Sequence, residues 1–133
     1  MKLNQPDELQ QLIRGGESVT LEFKQTISHP EKIAKTLVAF ANTRGGKLII
    51  GINDRKEIVG IDPEEEKYAL LIAASKYCYP AVQLHCIEAE LDDKIVLIAE
   101  IAPSSIAHFY LKDSTALPRF YIREDNQNKL LIR

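Results

Sequence analysis

The chain has 133 residues, 45% hydrophobic and 27% charged, with a formal net charge of −2. That is enough apolar material for one domain to bury a core without staples. The balance argues against indiscriminate nucleic-acid binding. No apolar run approaches the roughly 20 residues of a membrane span. The start lacks the basic, apolar and small-residue sequence of a secretory leader, so the expected setting is cytoplasmic, away from membranes. Cys78 and Cys86, unpatterned among apolar and aromatic neighbours, read as reduced buried thiols. His29, His85 and His108 share no metal-ligand spacing with them, so zinc is not expected.

In chain order, residues 6–13 predict an opening helix with Leu9, Leu12 and Ile13 on one face, ended by Gly15-Gly16. Residues 18–24 alternate, with Val19, Leu21 and Phe23 toward the core and Ser18, Thr20, Glu22 and Lys24 outward. Residues 28–42 predict an amphipathic helix with Pro30 in its first turn and Ile33, Leu37, Phe40 and Ala41 as its stripe. Asn42 and Gly45-Gly46 then supply residues that tolerate positive φ for a sharp helix-to-strand turn. Residues 47–53 read as a central strand by their continuous apolar run, with 57–60 as a hairpin partner.

Asp62 and Pro63 make an N-cap and first position for a second main helix expected to run until Pro80, and Glu64 to Glu66 face the positive end of its dipole. Residues 82–90 and 94–101 predict two strands around Asp92-Asp93, and 119–123 and 129–132 a final pair around Asn126 to Asn128. No repeat or linker intervenes. The expectation is a single α+β domain over residues 1–133, a mixed β-sheet packed by two main helices.

Charge is uneven along this domain. Residues 1–60 carry nine Lys/Arg against seven Asp/Glu, residues 61–103 three against nine, and residues 104–133 five against three. The acid is therefore concentrated in the middle.

Three constellations bear on chemistry. Glu17, Glu22 and Asp54 are candidate catalytic and metal-binding carboxylates, since divalent-metal cleavage of a phosphodiester needs two or more carboxylates on one ion. Glu17 lies five residues before Glu22, an odd spacing, so it must sit in the preceding turn to join the group. The alternative is that all three are solvated strand-edge groups. Lys24, Arg44, Lys47, Arg119, Tyr121 and Arg123 form a basic and aromatic set suited to phosphate contact, with Tyr121 placed to stack on an unpaired base. Its alternative is a solvated sheet face. Gly45-Gly46-Lys47 is not a phosphate-binding P-loop, because its lysine leads into a strand rather than a helix N-terminus and no Ser or Thr follows.

Glu17, Glu22-Phe23-Lys24, residues 39–43, Gly45-Gly46 and residues 51–54 together resemble the Schlafen AlbA-like domain, with Ile58-Val59-Gly60 and a looser match continuing to the end. The resemblance implies a DNA-binding or regulatory module, as in bacterial relatives. In vertebrate members it implies an endoribonuclease of structured RNA, with two Glu and one Asp at these motif positions and Mn or Mg as cofactor. Those enzymes set two lobes side by side as a clamp, whereas this chain has one. The reading is therefore a DNA- or RNA-binding domain, with the metal-dependent nuclease and a protein-interaction module without nucleic acid as alternatives. A one-lobe chain recovers a clamp by pairing with itself, so a homodimer through an edge strand at 129–132 is expected.

Overall fold

The computed structural model describes residues 6–131. Among them, helices and strands follow in the order α1 (Pro6–Gly15), β1 (Leu21–Lys24), α2 (Pro30–Ala41), β2 (Gly46–Ile50), α3 (Pro63–Lys76), β3 (Cys78–Tyr79), β4 (His85–Leu91), β5 (Lys94–Ile101), β6 (Phe109–Tyr110), β7 (Tyr121–Glu124) and β8 (Gln127–Leu130). Four strands form the main sheet in the order β1-β2-β5-β4, with β1 parallel to β2 and the other pairs antiparallel. This is the predicted α+β domain with a mixed sheet. Among the described residues no helix is long and apolar enough to cross a membrane.

The unbroken apolar runs of β2 and β5 follow from their place at the centre of a sheet covered on both faces. Leu48, Ile50, Leu97 and Ala99 pack under α2 and α3, against Leu37, Val38, Leu70 and Ala73. Ile49, Val96 and Ile98 point the other way, against Leu9 and Ile13 of α1. Helix α2 is enclosed further because both α3 and the β7–β8 hairpin pack against it.

Several boundaries differ from the sequence expectation, each for a local reason. Strand β1 begins only at Leu21, because Ser18 N–H donates to the Leu21 carbonyl at 2.9 Å and Val19-Thr20 form a tight turn. The predicted hairpin strand at 57–60 shrinks to one bridge, Ile52 to Ile58. There the Asn53 Oδ1 accepts from Arg55 and Glu57 N–H at 2.9 Å each and bends the chain. The final hairpin turns at Asp125-Asn126, with Glu124 opposite Gln127 and Asp125 at φ 53°, so Asn128 lies in a strand opposite Arg123 rather than in the turn. Short β3 and β6 pair with each other: β6 lies in a segment left unassigned from sequence, whereas β3 corrects the expected run of the second main helix to Pro80, because α3 ends at Lys76 and Cys78-Tyr79 turn extended to meet Tyr110 and Phe109.

Helix α3 opens as expected, with the Asp62 carboxylate accepting from Glu64 and Glu65 N–H at 3.0 and 3.4 Å. Glu66, grouped with the dipole by sequence, has a separate task. Its buried carboxylate accepts from Thr26 Oγ1 at 2.6 Å and Ile27 N–H at 2.8 Å, tying the loop after β1 to α3. Both cysteines are free; Cys78 is buried and Cys86 half-buried. Burial pushes the Cys78 thiol up to about 12, and it raises Cys86 as well. At mildly alkaline pH a thiol reagent should therefore label Cys86 alone until denaturant is added. Equal labelling of both thiols in the native protein would contradict the packing around Cys78.

Candidate nucleic-acid interface

The turn from α2 into β2 is the structural hub of the motif region. Gly45 has φ +73°, and a Cβ there would lie 2.5 Å from the Ile101 carbonyl oxygen and 2.8 Å from Pro103. A Cβ on Gly46 would strike the buried Phe40 ring at 2.7 Å. Asn42 does not take positive φ; it caps α2 at φ −83°. Its side chain is the reason for an asparagine. Nδ2 donates to the carbonyls of His108 and Tyr121 at 2.8 and 3.0 Å, and Oδ1 accepts from His108 N–H at 2.8 Å. Thr43 Oγ1 donates to the Ala39 carbonyl and accepts from Arg123 N–H, both at 2.8 Å. Asn42 and Thr43 thus clamp the last third of the chain to the end of α2.

Arg123 completes this clasp, which corrects its expected place on an outer face. It is 3% exposed, and its Nη2 donates to Glu22 Oε1 at 2.7 Å and to the Ser18 and Leu21 carbonyls at 3.1 and 3.3 Å. Nη1 donates to Asn128 Oδ1 at 2.9 Å, and the guanidinium lies 4.9 Å from the centre of the Phe40 ring. Tyr121, two residues earlier on the same inward face, is 7% exposed, and its ring sits edge-on to Tyr110. It cannot offer a face to an unpaired base. The alternation of Arg119, Tyr121 and Arg123 was visible in sequence, but the hairpin lies over α2 and turns Tyr121 and Arg123 toward the interior.

The three candidate carboxylates do not converge. Glu22, expected to point outward, is 8% exposed, held by Arg123 on one oxygen and with Lys24 Nζ 3.5 Å from the other. Glu17 does precede the turn, and its Oε2 accepts from Phe23 N–H at 2.9 Å, occupying the open edge of β1. Asp54 is exposed in the Asn53 bend. Among the described residues no group of three or more His, Cys, Asp and Glu is placed to hold a metal ion.

The cations divide between locations. Lys24 pairs across from Ile50 and Leu21 from Lys47, so Lys24 and Lys47 sit at opposite ends of the β1–β2 pair, about 10 Å apart along the strands. Arg44 and Lys47, by contrast, line one open groove of about 600 Å³ together with Thr20, Gln83, His85 and Glu100. Lys47, Glu100 and His85 stand directly opposite one another across β2, β5 and β4. Arg119 belongs to a second, larger cleft that sequence reasoning missed, lined also by Lys35, Lys112, Tyr110 and Phe120. Lys35 stands alone on a half-buried turn of α2 and Lys112 in an unassigned loop, so no local pattern linked them.

The arrangement is that of a small domain with helices on both faces of its main sheet, whose motif residues close the fold and whose Arg44 and Lys47 lie at the α2–β2 turn. The family described as Schlafen, AlbA_2 matches residues 17–132, and the chain belongs to that family. Its fold is similar to the N-terminal domain of a RecG-related protein from Nitrosomonas europaea, at 24% identity and a TM-score of 0.65, covering 92% of this chain and 88% of that one. It is also similar to part of the DIP2311 protein from Corynebacterium diphtheriae, at 17% identity and a TM-score of 0.62, covering 84% of this chain but 25% of that one. No curated protein sequence matches the chain.

Proposed function

We propose that this domain binds nucleic acid, DNA or RNA, through phosphates seated in the groove below the α2–β2 turn. The observation that carries this reading is that Arg44 and Lys47, members of the basic and aromatic set read from sequence, line one groove beside His85. Arginine and lysine at such a surface hold phosphates as fork and point charge, and releasing counterions supplies most of the affinity. Family membership supports the reading, as does the fold shared with a domain of a protein related to an ATP-dependent DNA helicase. Glu100, opposite Lys47, tempers the local charge and limits affinity. The dispersed carboxylates favour binding without cleavage.

Fluorescence anisotropy on labelled duplex DNA, single-stranded DNA and RNA across a salt series tests this. Arg44→Ala and Lys47→Ala should each weaken binding to every sequence, with the slope of log affinity against log salt falling by roughly one for each phosphate no longer neutralised. Glu100→Gln should tighten binding, because it removes a like charge from the phosphate path. Unchanged low-salt affinity in both cation variants would exclude this groove.

A further inference from the structure

Two surfaces lie outside the groove assigned to phosphate. The first is the cleft between residues 104–107, residues 112–120 and the β7–β8 hairpin, about 1400 Å³ in volume. Lys35, Lys112 and Arg119 line it, and no carboxylate does. Among the described residues none of these three cations lies in an ion pair. Its walls are aliphatic: Ile106 is 57%, Leu117 82% and Leu131 47% exposed.

The second is the outer stripe of α3. Glu64, Tyr68 and Leu71 recur at i, i+4 and i+7 on one face, with Tyr68 68% and Leu71 61% exposed and Glu65 exposed beside them. Lys67 is 3.7 Å from Glu64 but is held at 2.6 Å by Glu88, which leaves the stripe acidic. A large exposed tyrosine and leucine beside carboxylates, and exposed aliphatics beside cations, are complementary in both charge and hydropathy. Within one molecule no residue of α3 lines the cleft, so the stripe does not fill it.

We propose that the cleft receives the α3 stripe of a second copy of this chain. The contact is heterologous, cleft of one copy on helix of the next, so each added copy leaves one cleft and one helix unused at the ends of the assembly. The cleft suits an acidic amphipathic helix better than single-stranded nucleic acid. Stacking needs an open aromatic face, whereas Lys35 lies over the Tyr110 and Tyr121 rings at 5.3 and 5.8 Å, and Phe120 packs tilted on Phe109 at 5.6 Å. Aliphatic walls with a cationic rim match helix-in-groove recognition. The proposal goes beyond nucleic-acid binding and shares no residue with the Arg44–Lys47 groove.

Light scattering on paired variants tests it. A cleft variant, Leu117→Glu with Arg119→Glu, and a stripe variant, Tyr68→Ser with Leu71→Ser, change only exposed side chains. The parent should gain mass above 15.0 kDa with concentration and lose it with added salt. Each variant alone should stay at 15.0 kDa, and their equimolar mixture should form a two-chain species and nothing larger, because only one good cleft and one good helix meet. A parent that stays monomeric at high micromolar concentration overturns the proposal. So does association of either variant alone to the parent's extent, or a mixture that does not pair. If an oligothymidylate binds the parent and the cleft variant loses that binding while the stripe variant keeps it, the cleft is a nucleic-acid surface and the proposal also falls. Retention of the Arg44- and Lys47-dependent salt slope in both variants shows that the phosphate groove stands independently.

Discussion

Arg123→Met should lower the stability of the domain by roughly 3–5 kcal/mol, the usual cost of removing one partner from a buried ion pair. The guanidinium is the principal partner of the Glu22 carboxylate and also serves the Ser18 and Leu21 carbonyls. With it gone, a charge stays buried beside the half-exposed Lys24. In a domain of this size that should appear as a fall in Tm of roughly 10–20 °C. Arg123→Lys should recover only part, since one ammonium cannot reproduce the fork. The added change Glu22→Leu in the Met variant should restore much of the loss by removing the orphaned charge. Thermal unfolding by circular dichroism reads all three. A Met variant that melts with the parent, or a double variant that melts below the single one, would refute the clasp.

Gly45→Ala should cost about 2–4 kcal/mol from two sources that act together. An L-residue at φ +73° pays about 1–2 kcal/mol relative to glycine. The new methyl group also meets a backbone oxygen at 2.5 Å and the Pro103 backbone nitrogen and ring carbon at 2.8 Å, none of which is a movable side-chain tip. Relief requires the end of β5 to shift. Ile101 and Ala102 line the groove proposed to seat phosphates, so on that proposal the variant should also bind nucleic acid more weakly than Arg44 and Lys47 alone dictate. Denaturant melts and anisotropy on the same preparation test this; a variant within about 2 °C of the parent Tm would show that the turn yields cheaply.

Most of the fold was legible because its signals are local. The cap at Asp62, the glycines after α1 and α2, and the apolar runs of β2 and β5 each act over a few residues. The site was legible only in part. Period-two alternation at residues 119–123 identifies a shared face, but which way that face turns depends on a hairpin folding over a helix 80 residues earlier in the chain. The same limit applied to Glu22: alternation put it opposite Leu21 correctly, while its burial depends on Arg123, 101 residues later. Arg44 and Lys47 were easier, because only one turn separates them. The edge contact expected at 129–132 is divided: Lys129 and Leu130 pair in β8 with β7, and Ile132 lies outside the described residues.

The clasp also fixes an order of events during synthesis. Residues 17–50 carry a strand, a helix and a second strand that can pair as soon as they emerge. Yet the carboxylate of Glu22 and the Asn42 and Thr43 side chains must wait for residues 108–123 to be made before their partners exist. Until then the nascent domain holds a carboxylate that lacks its buried partner and stays in water, which keeps β1 from docking fully. Closure over separations of 66 to 105 residues makes the last step slow relative to the helices. The hairpin that finishes the fold therefore acts as its latch, and a ribosome-bound chain stalled before residue 123 should remain open to proteases at the α2–β2 turn.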